Sequence, residues 1–130
     1  MRMGEKTTIQ QLIDLGMKTR REVLGDEYVD NAIVNTEQFD ERFQEMLTSS
    51  AWGTVWSNET MSKRDRSLVT VTLLASLGHY EELALHLEAT QNTGLSQTDV
   101  GEAFLHLAIY GGIPAARNAF RVAKEVFSET

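Results

Sequence analysis

Three histidines and a glutamate are the side chains best suited to move protons in this chain. His79, Glu82 and His86 recur at spacings of three and four residues. A helix turning by about 100° per residue places them within roughly a 60° stripe. Leu83, Leu87 and Thr90 lie beside that stripe, while Glu81 and Glu88 point the other way. A carboxylate or imidazole at the border of a buried face can have a shifted proton affinity, as general acid–base chemistry requires. His79 falls at the helix start, where backbone N–H groups favour an anion. A second pair, His106 and Tyr110, is spaced i, i+4 and therefore adjacent. Its helix is apolar on nearly all sides through Val100, Phe104, Leu105, Leu107, Ala108 and Ile109. Such a helix is expected to be buried in the fold or in a subunit interface, with the His–Tyr pair hydrogen-bonded. The plainer readings are ordinary helix polarity around one satisfied histidine, and a purely structural hydrogen bond.

Positive charge is scarce but grouped. Arg20 and Arg21 come late in the first helical pattern, Lys63, Arg64 and Arg66 near the start of the fourth, and Arg117 and Arg121 on the last. An arginine fork binds a carboxylate through two bonds. These groups are therefore candidates for holding an anionic substrate, although each can equally be solvated or paired with a nearby acid. His79, Glu82, His86 and His106 could in principle hold zinc, but their spacing matches no common zinc signature, and no metal is expected. There is no Gly-x-Ser-x-Gly elbow, and Gly111-Gly112 lacks the lysine of a phosphate-binding loop.

The elements that must position these side chains are helices. One proline in 130 residues and a helical apolar period throughout predict an all-α fold, a single domain of about seven helices. The first runs from near Thr8 to Leu24 and closes at Gly25, and Asp26 caps a short second helix through Val34. Phe39, Phe43, Met46 and Leu47 continue a helical stripe toward Trp52. Residues 57–63 read as a loop. Ser62 with Asp65 resembles a capping box for a fourth helix ending near Gly78. A fifth spans about Tyr80 to Asn92, a sixth starts at Ser96, and Pro114 opens a seventh running to about Phe127. The two helix pairs from Ser62 onward suggest a helical-hairpin unit.

Composition narrows the function. Nineteen acidic residues against twelve Lys and Arg leave a net charge of −7. That disfavours general nucleic-acid binding and docking on anionic membranes. With no cysteine, thiolate, dithiol and disulfide chemistry is excluded. The most apolar stretch, Leu68 to Leu77, is too short for a membrane span. The sequence MRMGEKTTIQ has no apolar core of a secretory signal, so a soluble, cytoplasmic protein is expected.

Several stretches resemble the carboxymuconolactone decarboxylase family. They are Gly16-Met-Lys-Thr-Arg-Arg-Glu-Val-Leu-Gly-Asp-Glu-Tyr-Val-Asp30, Trp52-Gly53 with Trp56, Arg66-Ser-Leu-Val-Thr, Glu81-Glu-Leu-Ala-Leu-His86, Leu105-His-Leu-Ala-Ile-Tyr-Gly-Gly-Ile-Pro-Ala-Ala116 and Ala119-Phe-Arg-Val-Ala-Lys-Glu-Val126. The wider superfamily includes alkylhydroperoxidase D-like proteins with a Cys-x-x-Cys-x-x-x-His motif. The histidine of that motif falls on His86 and its cysteines on His79 and Glu82, so the redox machinery is missing.

The resemblance implies an alkylhydroperoxidase D-like helical domain assembled as a homo-oligomer, commonly a hexamer. It also implies cofactor-free loss of carbon dioxide from 4-carboxymuconolactone, a lactone dicarboxylate, in the protocatechuate branch of the β-ketoadipate pathway. The product would be the enol-lactone of 3-oxoadipate. The departing carboxylate there is vinylogous to the lactone carbonyl, so its electrons can flow onto that oxygen. The protein must then stabilise an oxyanion, deliver a proton and hold the second carboxylate. His86 and His106 are the expected proton donor and oxyanion stabiliser, in either order. Glu82 would orient His86 or relay the proton, and Tyr110 would assist. Arg20, Arg21 or Arg66 would hold the second carboxylate, Trp52 would wall the ring, and His79 is a weaker contributor. The rival readings are a non-redox relative acting on another lactone, and a metal-binding or oligomeric helical protein without activity.

Overall fold

The computed structural model describes residues 7–129 and divides the chain into two compact units, the first ending at Met61 and the second starting at Ser62. The described residues are helical with no strand. The first unit holds α1 (Ile9–Leu24), α2 (Asp26–Val34), α3 (Glu41–Leu47) and a π-helix (Thr48–Trp56). The second holds α4 (Lys63–Leu77), α5 (Tyr80–Glu88), α6 (Thr90–Thr93), α7 (Gln97–Tyr110) and α8 (Ile113–Ser128).

Helix boundaries follow local chemistry. The Thr8 hydroxyl accepts from the Gln11 N–H while the Gln11 side chain accepts from the Thr8 N–H, a complete capping box. Ser62 and Ser96 cap α4 and α7 by accepting from the N–H of Asp65 and Asp99. Gly78 and Gly94 end α4 and α6 in the left-handed region, at φ 76° and 83°. Three expectations need correction. Asp26 is the first residue of α2 and makes no side-chain cap; Gly25 occupies the cap position. The fifth helix breaks at Ala89 into α5 and a one-turn α6. The stripe from Phe39 toward Trp52 is not one α-helix, because after Leu47 the chain widens into the π-helix.

Side-chain hydroxyls bond back to carbonyls along this segment. Hydroxyls of Thr48 and Ser50 donate to the carbonyls of Gln44 and Met46 four residues back, at 2.7 and 2.6 Å. Thr54 donates to the Ser49 carbonyl five residues back at 3.1 Å. The same four-residue back-bond runs from Thr70 and Thr72 to the Arg66 and Leu68 carbonyls in the regular helix α4, so it accompanies the wider turn without causing it. The π-helix packs along α1 with Gly16 and Gly53 at the crossing. A Cβ on Gly16 would overlap the Thr48 carbonyl oxygen and stand 2.8 Å from the Gly53 nitrogen. A Cβ on Gly53 would overlap the Leu12 carbonyl oxygen. Backbone therefore meets backbone, and neither neighbour is a side chain that can swing aside. The Thr19 and Ser57 hydroxyls lock the same contact at 2.6 Å, and Trp52 stacks on Trp56 with centroids 5.2 Å apart.

In the second unit α5 and α7 both pack on α8, and α4 packs on α5 and α7. The core is Val71, Ala75, Leu83, Leu87, Val100, Phe104 and Leu107, closed by the small face of α8 at Ala116, Ala119 and Ala123. Phe104 meets Phe120 edge-to-face at 5.5 Å.

Gly16→Ala and Gly53→Ala should each destabilise the first unit by about 1–3 kcal/mol, the range for overpacking a tight contact. Both tryptophans, Trp52 and Trp56, lie in that unit, so urea unfolding followed by their fluorescence reads the loss. Gly101→Ala is the control. A Cβ there meets nothing within 4 Å, so stability should hold or rise.

Candidate active site

The three acid–base candidates of α5 do not share one environment. His86 is buried, 9% exposed, on an inward stripe with Leu83, Leu87 and Thr90. Glu82 is exposed, one helical step outside that stripe. His79 is exposed at the N-cap, with non-helical φ −88° and ψ 75°. Helical spacing therefore no longer governs where its ring points, and the 60° stripe of the sequence reading splits. Burial pushes the His86 imidazole down from 6.5 to about 4, so the ring is neutral at pH 7. Its place in the last turn of α5 would favour a cation, but desolvation outweighs that attraction.

His106 and Tyr110 are adjacent, as their spacing requires, with rings stacked at 4.9 Å and 29°. The expectation that this pair is buried fails in the single chain: both residues are exposed, Tyr110 by 81%. The inward face of α7 is Val100, Phe104 and Leu107, while Leu105, Ile109 and Tyr110 turn outward. His106 lines a cavity of about 340 Å³ with Leu68, Thr72, Asp99, Glu102 and Ala103. His86 is not part of that lining. The Ser96 hydroxyl and the Arg64 guanidinium hold Asp99 below the usual carboxylate range, with Arg64 at 2.7 Å. Among the described residues no three His, Asp or Glu side chains gather as metal ligands would.

The arginines also separate. Arg21 already meets Asp26 at 3.0 Å and Asp30 at 2.8 Å. Arg66 is half-buried on α4, in the same unit as His86. Arg20 is buried, 6% exposed, and lines a cavity of about 460 Å³ within the first unit. Ile13, Met17 and Ile33 supply apolar wall, and Thr36, Glu37, Gln38, Glu41, Gln44, Glu45 and Thr48 complete it. The Arg20 side chain donates to Gln44 Oε1 at a long 3.5 Å and lies in hydrogen-bond reach of Tyr28. Its Nε is buried without a hydrogen-bond partner among the described residues. No described carboxylate lies in ion-pair distance, and burial lowers its proton affinity. Gln44 and Tyr28 were not singled out from sequence. A signal existed, since Ile13, Met17 and Arg20 fall at i, i+4 and i+7 on the inward stripe of α1. Trp52 is buried against Trp56 in that same unit.

The His86 shift has a testable sign. Between about pH 4 and 6.5 the unfolded chain carries a proton that the folded imidazole refuses. The stability contributed by the neutral ring is thus complete above pH 6.5 and lost as pH falls through about 4. His86→Gln cannot titrate. Wild type should lose up to about 3 kcal/mol more than this variant across that window, read from urea unfolding at stepped pH.

Comparison with known proteins places these features. Residues 41–125 match the Carboxymuconolactone decarboxylase family. A 4-carboxymuconolactone decarboxylase of Acinetobacter baylyi is 38% identical over 120 residues, 92% of this chain and 90% of the relative. A nitrosuccinic acid decarboxylase of Metarhizium robertsii is also 38% identical over 120 residues, 92% of this chain and 84% of the relative. A 4-carboxymuconolactone decarboxylase of Pseudomonas putida is 46% identical over 44 residues, 34% of this chain and 92% of the relative. With the match spanning α3 to α8, a helical fold throughout and His86 in the second unit, this chain belongs to the carboxymuconolactone decarboxylase family.

Proposed function

We propose that this chain is a carboxy-lyase that releases carbon dioxide from 4-carboxymuconolactone without a cofactor, giving the enol-lactone of 3-oxoadipate in the protocatechuate branch of the β-ketoadipate pathway. Similarity to decarboxylases over 92% of the chain supports the reaction class. The observation that carries the mechanism is the buried, neutral imidazole of His86. Decarboxylation speeds up when the leaving carboxylate loses its water and the new negative charge meets a fixed donor. A neutral imidazole N–H is such a donor and brings no positive charge that would hold the carboxylate in its ground state. His86 is therefore assigned to the developing oxyanion. Delivery of the proton to carbon falls to His106, with Tyr110 stacked on it and Glu82 as a relay. Arg21 is the poorest of the three arginines for holding the second carboxylate, because two aspartates already meet its charge. Arg20 and Arg66 are the better choices. Trp52 is assigned to wall the ring, and His79 to a lesser contact.

Self-association as a homohexamer in the cytoplasm completes the reading. Support comes from the outward apolar face of the second unit: Leu105, Ile109, Tyr110 and Ile113 are 56 to 81% exposed. Leu105 and Ile113 line a groove of about 690 Å³ with Ala108, Ala116 and Phe120, edged by Arg117, Arg121, Lys124 and Glu125. Patches of this kind mark association surfaces. Among the described residues no helix is long and apolar enough to cross a membrane.

A second reading rests on the equal identity to the nitrosuccinic acid decarboxylase. Nitrosuccinic acid is also a dicarboxylate, and loss of the carboxyl next to the nitro group leaves a nitronate. Both acids thus ask for the same service, a donor for an oxygen that becomes negative as carbon dioxide leaves. Steady-state assays of the purified chain on both acids, with chelator present, decide between them; the lactone should have the higher kcat/KM. His86→Ala should lower kcat on it at least 100-fold, the order for losing an oxyanion donor, and His106→Ala should also slow turnover. Near wild-type rates in both folded variants would sink the assignment. Ile109→Asp should shift the assembly toward smaller species in light scattering.

A further inference from the structure

We infer that the cavity around Arg20 in the first unit is a binding site for a small organic carboxylate. The inference stands on the first unit alone and does not depend on turnover. A guanidinium is charged at every pH a protein experiences. Burying it without an anion costs free energy that stays uncompensated. Arg20 is in that condition: 6% exposed, in ion-pair distance of no described carboxylate, with a buried Nε without a partner, the neutral Tyr28 hydroxyl in reach and a 3.5 Å contact to Gln44. Its neighbour in sequence shows what a satisfied arginine looks like here, with Arg21 meeting two aspartates at 3.0 and 2.8 Å.

The surroundings fit a ligand rather than a missing internal partner. Arg20 lines a cavity of about 460 Å³, the size of a small-molecule site. Ile13, Met17 and Ile33 give an apolar wall that suits a short carbon skeleton. Glu37, Glu41 and Glu45 also line it, are exposed, and do not reach Arg20 in ion-pair distance. Their charge leaves the guanidinium as the one place in the cavity for a carboxylate, with the apolar wall beside it for the carbon skeleton. The carboxylate would take the place of the long Gln44 contact.

Butanoate is the probe and butanamide, of the same shape without the charge, its control. Titrating the full ¹⁵N-labelled chain at pH 7, the Arg20 Nε–H resonance should move with butanoate and not with butanamide. Butanoate should also raise Tm. Arg20→Met should weaken butanoate binding at least tenfold while keeping Tm equal or higher, because it removes an uncompensated buried charge; a merely structural arginine would lower Tm. Should Arg20→Met fail to fold, the wild-type resonance and Arg20→Lys, which keeps the charge and should retain part of the binding, still decide. Equal responses to butanoate and butanamide, or undiminished binding in Arg20→Met, would overturn the inference. Kinetics name the source of the carboxylate. Competitive inhibition of lactone turnover by butanoate identifies the substrate's own carboxylate as the occupant, and binding without inhibition identifies a separate ligand. An inactive chain that still binds butanoate through Arg20 would count against the decarboxylase reading alone.

Discussion

Removal of ionisable groups from water is the constraint on which the chemistry of this protein turns. Among the described residues each unit buries one such side chain, His86 or Arg20, and the two answer the same penalty in opposite ways. His86 sheds its proton: burial takes the imidazole down to about 4, and a neutral ring sits among Leu83 and Leu87 at small cost. Arg20 has no such escape, because a guanidinium does not deprotonate in proteins. Its cost persists until an anion arrives. One residue is thereby suited to donate a hydrogen bond in an apolar place, and the other to attract a carboxylate into one. Neither property follows from residue type alone, since His106 and Arg21 have the same chemistry on the surface without it.

The inward course of Arg20 depends on a backbone contact. Gly16 and Gly53 let α1 lie against the π-helix with no side chain between them. Arg20 is one turn beyond Gly16 and therefore on the same face of α1. The close approach that forbids a Cβ at Gly16 thus turns a long cationic side chain inward one turn later. Thr48 ties the two features together: its carbonyl oxygen bounds Gly16, and the residue also lines the Arg20 cavity. A π-helix of nine residues is costly in isolation, and such segments gather at functional sites. Here hydroxyls of Thr48, Ser50 and Thr54 add bonds to carbonyls along the segment.

What could be read from the sequence was what local chemistry decides. Thr8, Ser62 and Ser96 each supply a hydroxyl at the position where a helix exposes unpaired N–H groups, and Gly78 and Gly94 supply the left-handed residue that ends one. The π-helix was not legible, because apolar spacing there still fits a period of 3.6 residues. The break at Ala89 was hidden for the same reason. For the site, spacing placed His86 and Glu82 side by side but not on opposite sides of the burial boundary, which is set by how α5 meets α8 and α4. His79 escaped because its backbone leaves the helix. The arginines looked equivalent until their partners were known, since a charge pair such as Arg21 with Asp30 bridges two helices across a turn.

Periodicity is silent in another way on α7. An apolar face tells that something must cover it, not what. Val100, Phe104 and Leu107 are covered within the second unit, whereas Phe39 on the first unit and Ile109 on α7 stay 98% and 78% exposed. His106 and Tyr110 share the outward side of α7 with Leu105 and Ile109. Any surface that covers these apolar residues must also take the His106–Tyr110 stack out of water. That stack would then face the same desolvation that His86 already meets inside the core. The two rings stack and share no hydrogen bond, so the imidazole and the hydroxyl would each need a polar partner from the covering surface. The outward apolar face of α7 is thus also the face that carries the second imidazole, His106.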